Sequence, residues 1–149
     1  MKSWYKVAAL TLLLAVFAFL AGPMGPLGGF WPPAADLAEP QGAQVPLLMF
    51  LTAVEDITFG LGVSFLLFGY PLVRAVAPAS PALTRAAYVA IFWLLATWWP
   101  HDSLHIHNGM DLNGLIVIDY VFHMTLIIAG LVVAWFFYTI TRRTADGVS

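Results

Sequence analysis

Residues 98–123, WWPHDSLHIHNGMDLNGLIVIDYVFH, form a polar segment between two long apolar runs. This segment contains all four histidines of the chain and three of its eight carboxylate residues. The apolar runs on either side decide the fold class, whereas the polar segment carries the strongest chemical signal. The pattern indicates a metal site or a proton-handling site at the edge of a membrane, without specifying a reaction.

The overall composition is that of an integral membrane protein. Hydrophobic residues make up 61% and charged residues 9% of the 149-residue chain, and the mean hydropathy is +0.86. Soluble domains carry about 25% charged residues, so a soluble globular fold is excluded. The absence of cysteine excludes disulfides, thiolate metal sites and cysteine nucleophiles.

Four apolar segments are long enough to cross a bilayer as helices. We predict a single transmembrane domain over residues 1–149, an all-α bundle of four antiparallel helices over about 4–21, 47–70, 82–99 and 115–140. A Pro- and Gly-rich outer loop, 22–46, joins the first two helices, and a His-rich outer segment, 100–114, joins the last two. The first segment also fits the core of a secretory signal peptide, whose removal would leave three spans.

The basic residues predict the orientation of the chain. With four spans, all six fall on the same side of the bilayer (Lys2, Lys6, Arg74, Arg85, Arg142 and Arg143). Because basic residues are enriched in cytoplasmic loops, we predict a multi-pass cell-membrane protein with cytoplasmic N and C termini. The polar segment then lies on the extracytoplasmic side. The lipid bilayer is the expected surrounding, and so few scattered basic residues give no support for nucleic-acid binding.

Two pairs of side chains at i, i+4 spacing point to a metal site. His101 and His105 form one pair, and Asp119 and His123 form the other, so each pair shares a helix face. His107 follows His105 at two residues. We predict that all five bind a metal (His101, His105, His107, Asp119 and His123). Imidazole and carboxylate ligands without thiolate suit a divalent transition metal such as zinc, copper or iron.

Glu55 and Asp56 lie inside the second predicted span, where unpaired carboxylates cost several kcal/mol. Helical rise places them roughly 12 to 14 Å below the outer face, at the depth predicted for Asp119 and His123. We therefore predict one shared pocket of acids and imidazoles. In an enzyme, Glu55 or Asp56 would act there as the general base on a metal-bound water.

Three classes of function are open. The first is a metal-binding membrane protein, either a metal-dependent enzyme or a metal-handling accessory protein. The second is a proton or ion path, or the membrane anchor subunit of a redox complex. The third is a structural or assembly subunit, in a homo-oligomer or a larger membrane complex, that packs through small-residue faces at Gly60/Ser64 and Gly130/Ala134. The residues do not identify a known family.

Overall fold

The structure is a computed structural model that describes residues 3–76 and 80–146. The described residues form six α-helices and one short 3-10 helix, and they contain no β-strand. The α-helices are α1 (Ser3–Ala21), α2 (Val45–Phe68), α3 (Tyr70–Val76), α4 (Pro81–Ala96), α5 (Trp98–Asn108) and α6 (Leu112–Asp146). The 3-10 helix, Gly28–Phe30, lies in the connection between α1 and α2. The predicted all-helical fold is confirmed.

Three of these helices are long and apolar enough to cross a membrane. They are α1 from Trp4 to Ala21, α2 over its whole length, and α6 from Leu112 to Arg143. Taken together, α4 and α5 meet the same criterion as one span bent by 43°, which raises the count to four. Length and composition thus support a membrane protein with three or four spans. The antiparallel bundle and the cytoplasmic termini stay predictions.

The third span differs from the continuous helix predicted over residues 82–99. α4 ends at Ala96 and α5 begins at Trp98, so much of the predicted outer segment 100–114 is helical. Pro100 has no backbone N–H, so the carbonyl of Ala96, four residues earlier, has no helical partner. Thr97 adds to the bend, because its hydroxyl donates to the Trp93 carbonyl at 2.7 Å. Pro100 therefore bends the span one turn upstream and is tolerated in the first turn of α5.

The ends of α2 and α6 are also set by local chemistry. α2 ends at Phe68, two residues before the predicted end at 70, and Pro71 lies in the first turn of α3. α6 begins at Leu112, three residues before the predicted start at 115. Asp111 caps it, since its carboxylate accepts the N–H of Asn113 at 3.2 Å. The longer α6 carries Asp119 and His123 about two and three turns below its N-terminus.

α1 and α2 pack closely through the small-residue face predicted at Gly60 and Ser64. A Cβ atom at Gly60 would lie 2.3 Å from the carbonyl oxygen of Thr11, so only glycine allows this approach. The hydroxyl of Thr11 donates to Oγ of the buried Ser64 at 3.0 Å. The second predicted face, at Gly130 and Ala134, does not pack closely against another helix at Gly130. A Cβ atom there would meet no neighbouring atom of the described residues within 4 Å.

The long connection between α1 and α2 folds back onto the end of α5. The Ala34 N–H donates to the Ile106 carbonyl at 3.0 Å, and the Met110 N–H donates to Asp36 Oδ2 at 3.1 Å. Gly109 permits this contact, because its φ is +59° and a Cβ atom there would lie 2.1 Å from Asp36 Oδ1. The contact holds the turn between α5 and α6, the two helices that carry the histidines.

Candidate metal centre

Two adjacent helices bring the candidate ligands together. His101 and His105 share one face of α5, and Asp119 and His123 share one face of α6, because residues four apart in a helix are neighbours. A short turn joins α5 to α6, and the two helices pack against each other. The two i, i+4 pairs predicted from the sequence therefore face a common space.

The ligand atoms of His101, Asp119 and His123 all lie within 4.8 Å of one another. His105 extends this group, since its Nε2 lies 3.1 Å from His101 Nε2 and 3.4 Å from Asp119 Oδ1. Asp119 Oδ1 also lies 3.6 Å from His123 Nδ1. We refer to these four residues, His101, His105, Asp119 and His123, as the His/Asp cluster.

Three separations within the His/Asp cluster are close to those between ligands of one small metal ion, and those among His101, Asp119 and His123 are no more than 4.8 Å. Zinc binds imidazole nitrogen and carboxylate oxygen at about 2.0–2.2 Å in a tetrahedron, so its ligand atoms lie about 3.3–3.6 Å apart. The adjacent separations here are 3.1, 3.4 and 3.6 Å. His101, Asp119 and His123 could hold a metal ion, and His105 lies against His101 and Asp119 at the side of this group.

Asp102 orients the imidazole of His101. Asp102 Oδ1 lies 2.6 Å from His101 Nδ1, so we assign the ring proton to Nδ1, which leaves Nε2 free to face the cluster. Metal-binding histidines commonly donate their second ring N–H to a carboxylate, which selects the tautomer and raises the basicity of the ligand nitrogen. Asp102 was not among the predicted site residues, although a carboxylate directly after a candidate ligand histidine was an available signal.

The His/Asp cluster has a buried side and an open side. His101 is 8% exposed, and its ring packs against that of Phe122 at a centroid distance of 5.3 Å. In contrast, the side chains of Asp119 and His123 are 48% and 53% exposed. An ion held by the cluster would therefore be anchored at His101 and accessible past Asp119 and His123.

His107, also predicted as a metal ligand, is not brought to the His/Asp cluster. It follows His105 by two residues, so it projects from a different face of α5. Its Nδ1 donates to the Pro32 carbonyl at 2.8 Å, and its side chain is exposed. In this position His107 attaches the outer connection to α5.

Glu55 and Asp56 lie in a cavity bordered by α1, α2 and α5, and the His/Asp cluster does not line it. The predicted single pocket is thus divided in two, because α5 packs against both α2 and α6. Asp102 connects the two parts. It borders the cavity, lies close enough to Glu55 for the two carboxyl groups to interact, and accepts the ring N–H of His101.

Comparisons with known proteins add no functional assignment. The chain matches no protein-family model, no curated protein and no solved structure. The side-chain geometry of the His/Asp cluster and of the neighbouring acidic cavity is therefore the basis for the function proposed below.

Proposed function

We propose that this chain is an integral membrane protein whose His/Asp cluster binds one divalent transition metal ion. The observation that carries the proposal is that ligand atoms of His101, Asp119 and His123, from two helices, all lie within 4.8 Å of one another. The ligand types suit zinc, copper(II) or iron, and we take zinc as the ion to test, since imidazole nitrogen and carboxylate oxygen are among its usual ligands. The contact between Asp102 and His101 supports the proposal, because metal-binding histidines usually have such a partner.

The open side of the His/Asp cluster favours metal handling over metal-dependent catalysis. A ligand set with half-exposed members allows the ion to be received from, and passed to, another carrier. An enzyme that activates water needs a general base within hydrogen-bond reach of that water. The predicted bases, Glu55 and Asp56, instead line the separate cavity. We therefore favour a metal-handling accessory protein.

We further propose that the His/Asp cluster lies at the outer edge of the cell membrane. Arg142 and Arg143 indicate the cytoplasmic end of α6. A hydrocarbon core of about 30 Å takes about 20 helical residues, which reach back from Ile140 to Val121. Asp119 and His123 then straddle the outer boundary.

Cysteine labelling tests this orientation, because the chain has no cysteine of its own. An Asn113→Cys variant should react with a membrane-impermeant maleimide in intact cells. Reaction only after lysis would contradict the orientation.

Metal content of the purified full chain tests the proposal. Protein prepared in detergent without chelator should carry about one zinc ion per chain, and His101→Ala and His123→Ala should each lower this below about 0.2. His107→Ala is the matched control, because it removes an imidazole from the same part of the chain but outside the cluster. Less than about 0.2 ion in the unaltered protein, or equal loss with His107→Ala, would contradict the proposal.

A proton path is the second candidate, and a continuous run of ionisable groups favours it. Glu55 contacts Asp102, Asp102 contacts His101, and His101 contacts His105. Chains of carboxylates and histidines at one depth of a membrane form proton relays in pumps and transporters. Proton flux into liposomes that is unaffected by Glu55→Gln would count against this second function.

A further inference from the structure

The cavity beside α5 has the size and the walls of a small-molecule binding site. Its volume is about 290 Å³, and its lining is mostly apolar, with Phe19, Leu48, Met49 and Ile106 among the wall residues. Ligand pockets typically span about 300–1,000 Å³ and combine apolar walls with a few polar groups. A small organic molecule therefore fits this cavity, at the lower end of that range.

Asp56 supplies this cavity with a hydrogen-bond acceptor that lacks a partner. The residue is only 4% exposed. Its Oδ1 is the one buried side-chain nitrogen or oxygen atom of the described residues with no hydrogen-bond partner. Buried polar groups are costly unless they are paired, so Asp56 indicates a ligand that donates a hydrogen bond. No neighbouring side chain of the described residues donates a hydrogen bond to this oxygen.

The charge of the lining indicates that the donor is a cation. Glu55, Asp56 and Asp102 all line the cavity, whereas no lysine, arginine or histidine does. Among these three, Asp56 is the residue with a buried oxygen that has no hydrogen-bond partner. Within the described part of the chain, the three carboxylates are not among the groups whose ligand atoms converge as they must around a metal ion. An organic cation therefore fits better than a bare ion.

We propose that this cavity binds a small amphiphilic amine. Its ammonium group donates to the Asp56 carboxylate, and its alkyl part lies against the apolar wall formed by α1, α2 and α5. Charge-assisted hydrogen bonds between an ammonium group and a carboxylate are about twice as strong as neutral ones, which gives selectivity over an alcohol of the same length. This binding function goes beyond metal binding and does not depend on it.

The test compares hexylammonium with hexan-1-ol, which share an alkyl chain and differ in charge. Each is titrated calorimetrically into the purified full chain in detergent. Asp56→Asn keeps the shape of the side chain and removes its charge, so the affinity for hexylammonium should fall about ten- to a hundredfold. Glu39→Gln is the matched control, because it removes an exposed carboxylate outside the cavity, and it should leave the affinity unchanged.

A second variant tests the volume of the cavity independently of its charge. Thr52 lines the cavity and lies one helical turn before Asp56 on the same face, so Thr52→Phe should fill the space and abolish binding. Equal affinity for the alcohol and the amine, or unchanged amine affinity in Asp56→Asn, would overturn the proposal. An unchanged thermal unfolding midpoint of Asp56→Asn in detergent shows that the variant is folded, whatever its metal content, and so separates amine binding from the metal site.

Discussion

Replacing Asp102 with asparagine isolates the contribution of a residue that does not itself bind the ion. In the structure the carboxylate lies 2.6 Å from His101 Nδ1, a short distance typical of a hydrogen bond to a charged acceptor. Asparagine can still accept the ring N–H, but as a neutral group. We therefore expect Asp102→Asn to keep the geometry of His101 and to weaken zinc binding.

The expected loss of zinc affinity follows from the difference between a charged and a neutral hydrogen-bond acceptor, and from the exposure of the Asp102 side chain. Hydrogen bonds to charged groups contribute about 1.5–3 kcal/mol and neutral ones about 0.5–1.5 kcal/mol. The Asp102 side chain is 41% exposed, so solvent screening favours the lower end of the difference, about 1–1.4 kcal/mol. Zinc affinity should then fall about five- to tenfold, the low end of the range known for outer-shell partners of metal ligands.

Competition with a zinc-binding fluorescent chelator measures this change on the full chain in detergent. Asp111→Asn is the control, because it alters a nearby carboxylate outside the His/Asp cluster while asparagine keeps the cap of α6. An affinity in Asp102→Asn within about twofold of the unaltered protein would refute the assigned role. An equal loss of zinc affinity in Asp111→Asn would also refute it, since the loss would then reflect the removal of any nearby negative charge.

Two glycine substitutions test the contacts that position the site, each measured by thermal unfolding in detergent. Gly109→Ala should destabilise the protein by about 1–3 kcal/mol, because its positive φ and the nearby Asp36 carboxylate leave no place for a Cβ atom. Gly29→Ala, at a position with open space, should change stability by less than about 0.5 kcal/mol. Gly60→Ala should cost about 1–3 kcal/mol through overpacking against α1, whereas Gly130→Ala should be neutral or slightly stabilising. Equal effects within either pair would contradict the packing described for α1 and α2 or for the outer connection.

The local parts of the candidate site could be predicted from the sequence. Helical periodicity depends on neighbours along the chain, so His101 with His105, and Asp119 with His123, were correctly placed on shared faces. The break in the third span also has a local cause in Pro100. The position of the break was less predictable, because the missing N–H of Pro100 removes the hydrogen bond to a carbonyl one turn upstream.

Depth along the helix did not determine which groups Glu55 and Asp56 face. Helical rise gives the position of a residue along the membrane normal, but not its direction around the helix axis or the neighbour that it faces. α5 lies against both α2 and α6, so groups predicted to lie at a similar depth are divided between two sites. Asp102, which connects these sites, was not predicted as a functional residue.

Composition and periodicity by themselves determined that this protein is helical, apolar enough to cross a membrane, and rich in imidazole and carboxylate groups over a short segment. Those properties depend on each residue and its neighbours along the chain. Only the tertiary structure decided that His101 meets His123, that His107 turns to Pro32, and that Asp56 borders a separate cavity. The physical reason is that such contacts join groups far apart in sequence, and the packing of whole helices selects which faces meet.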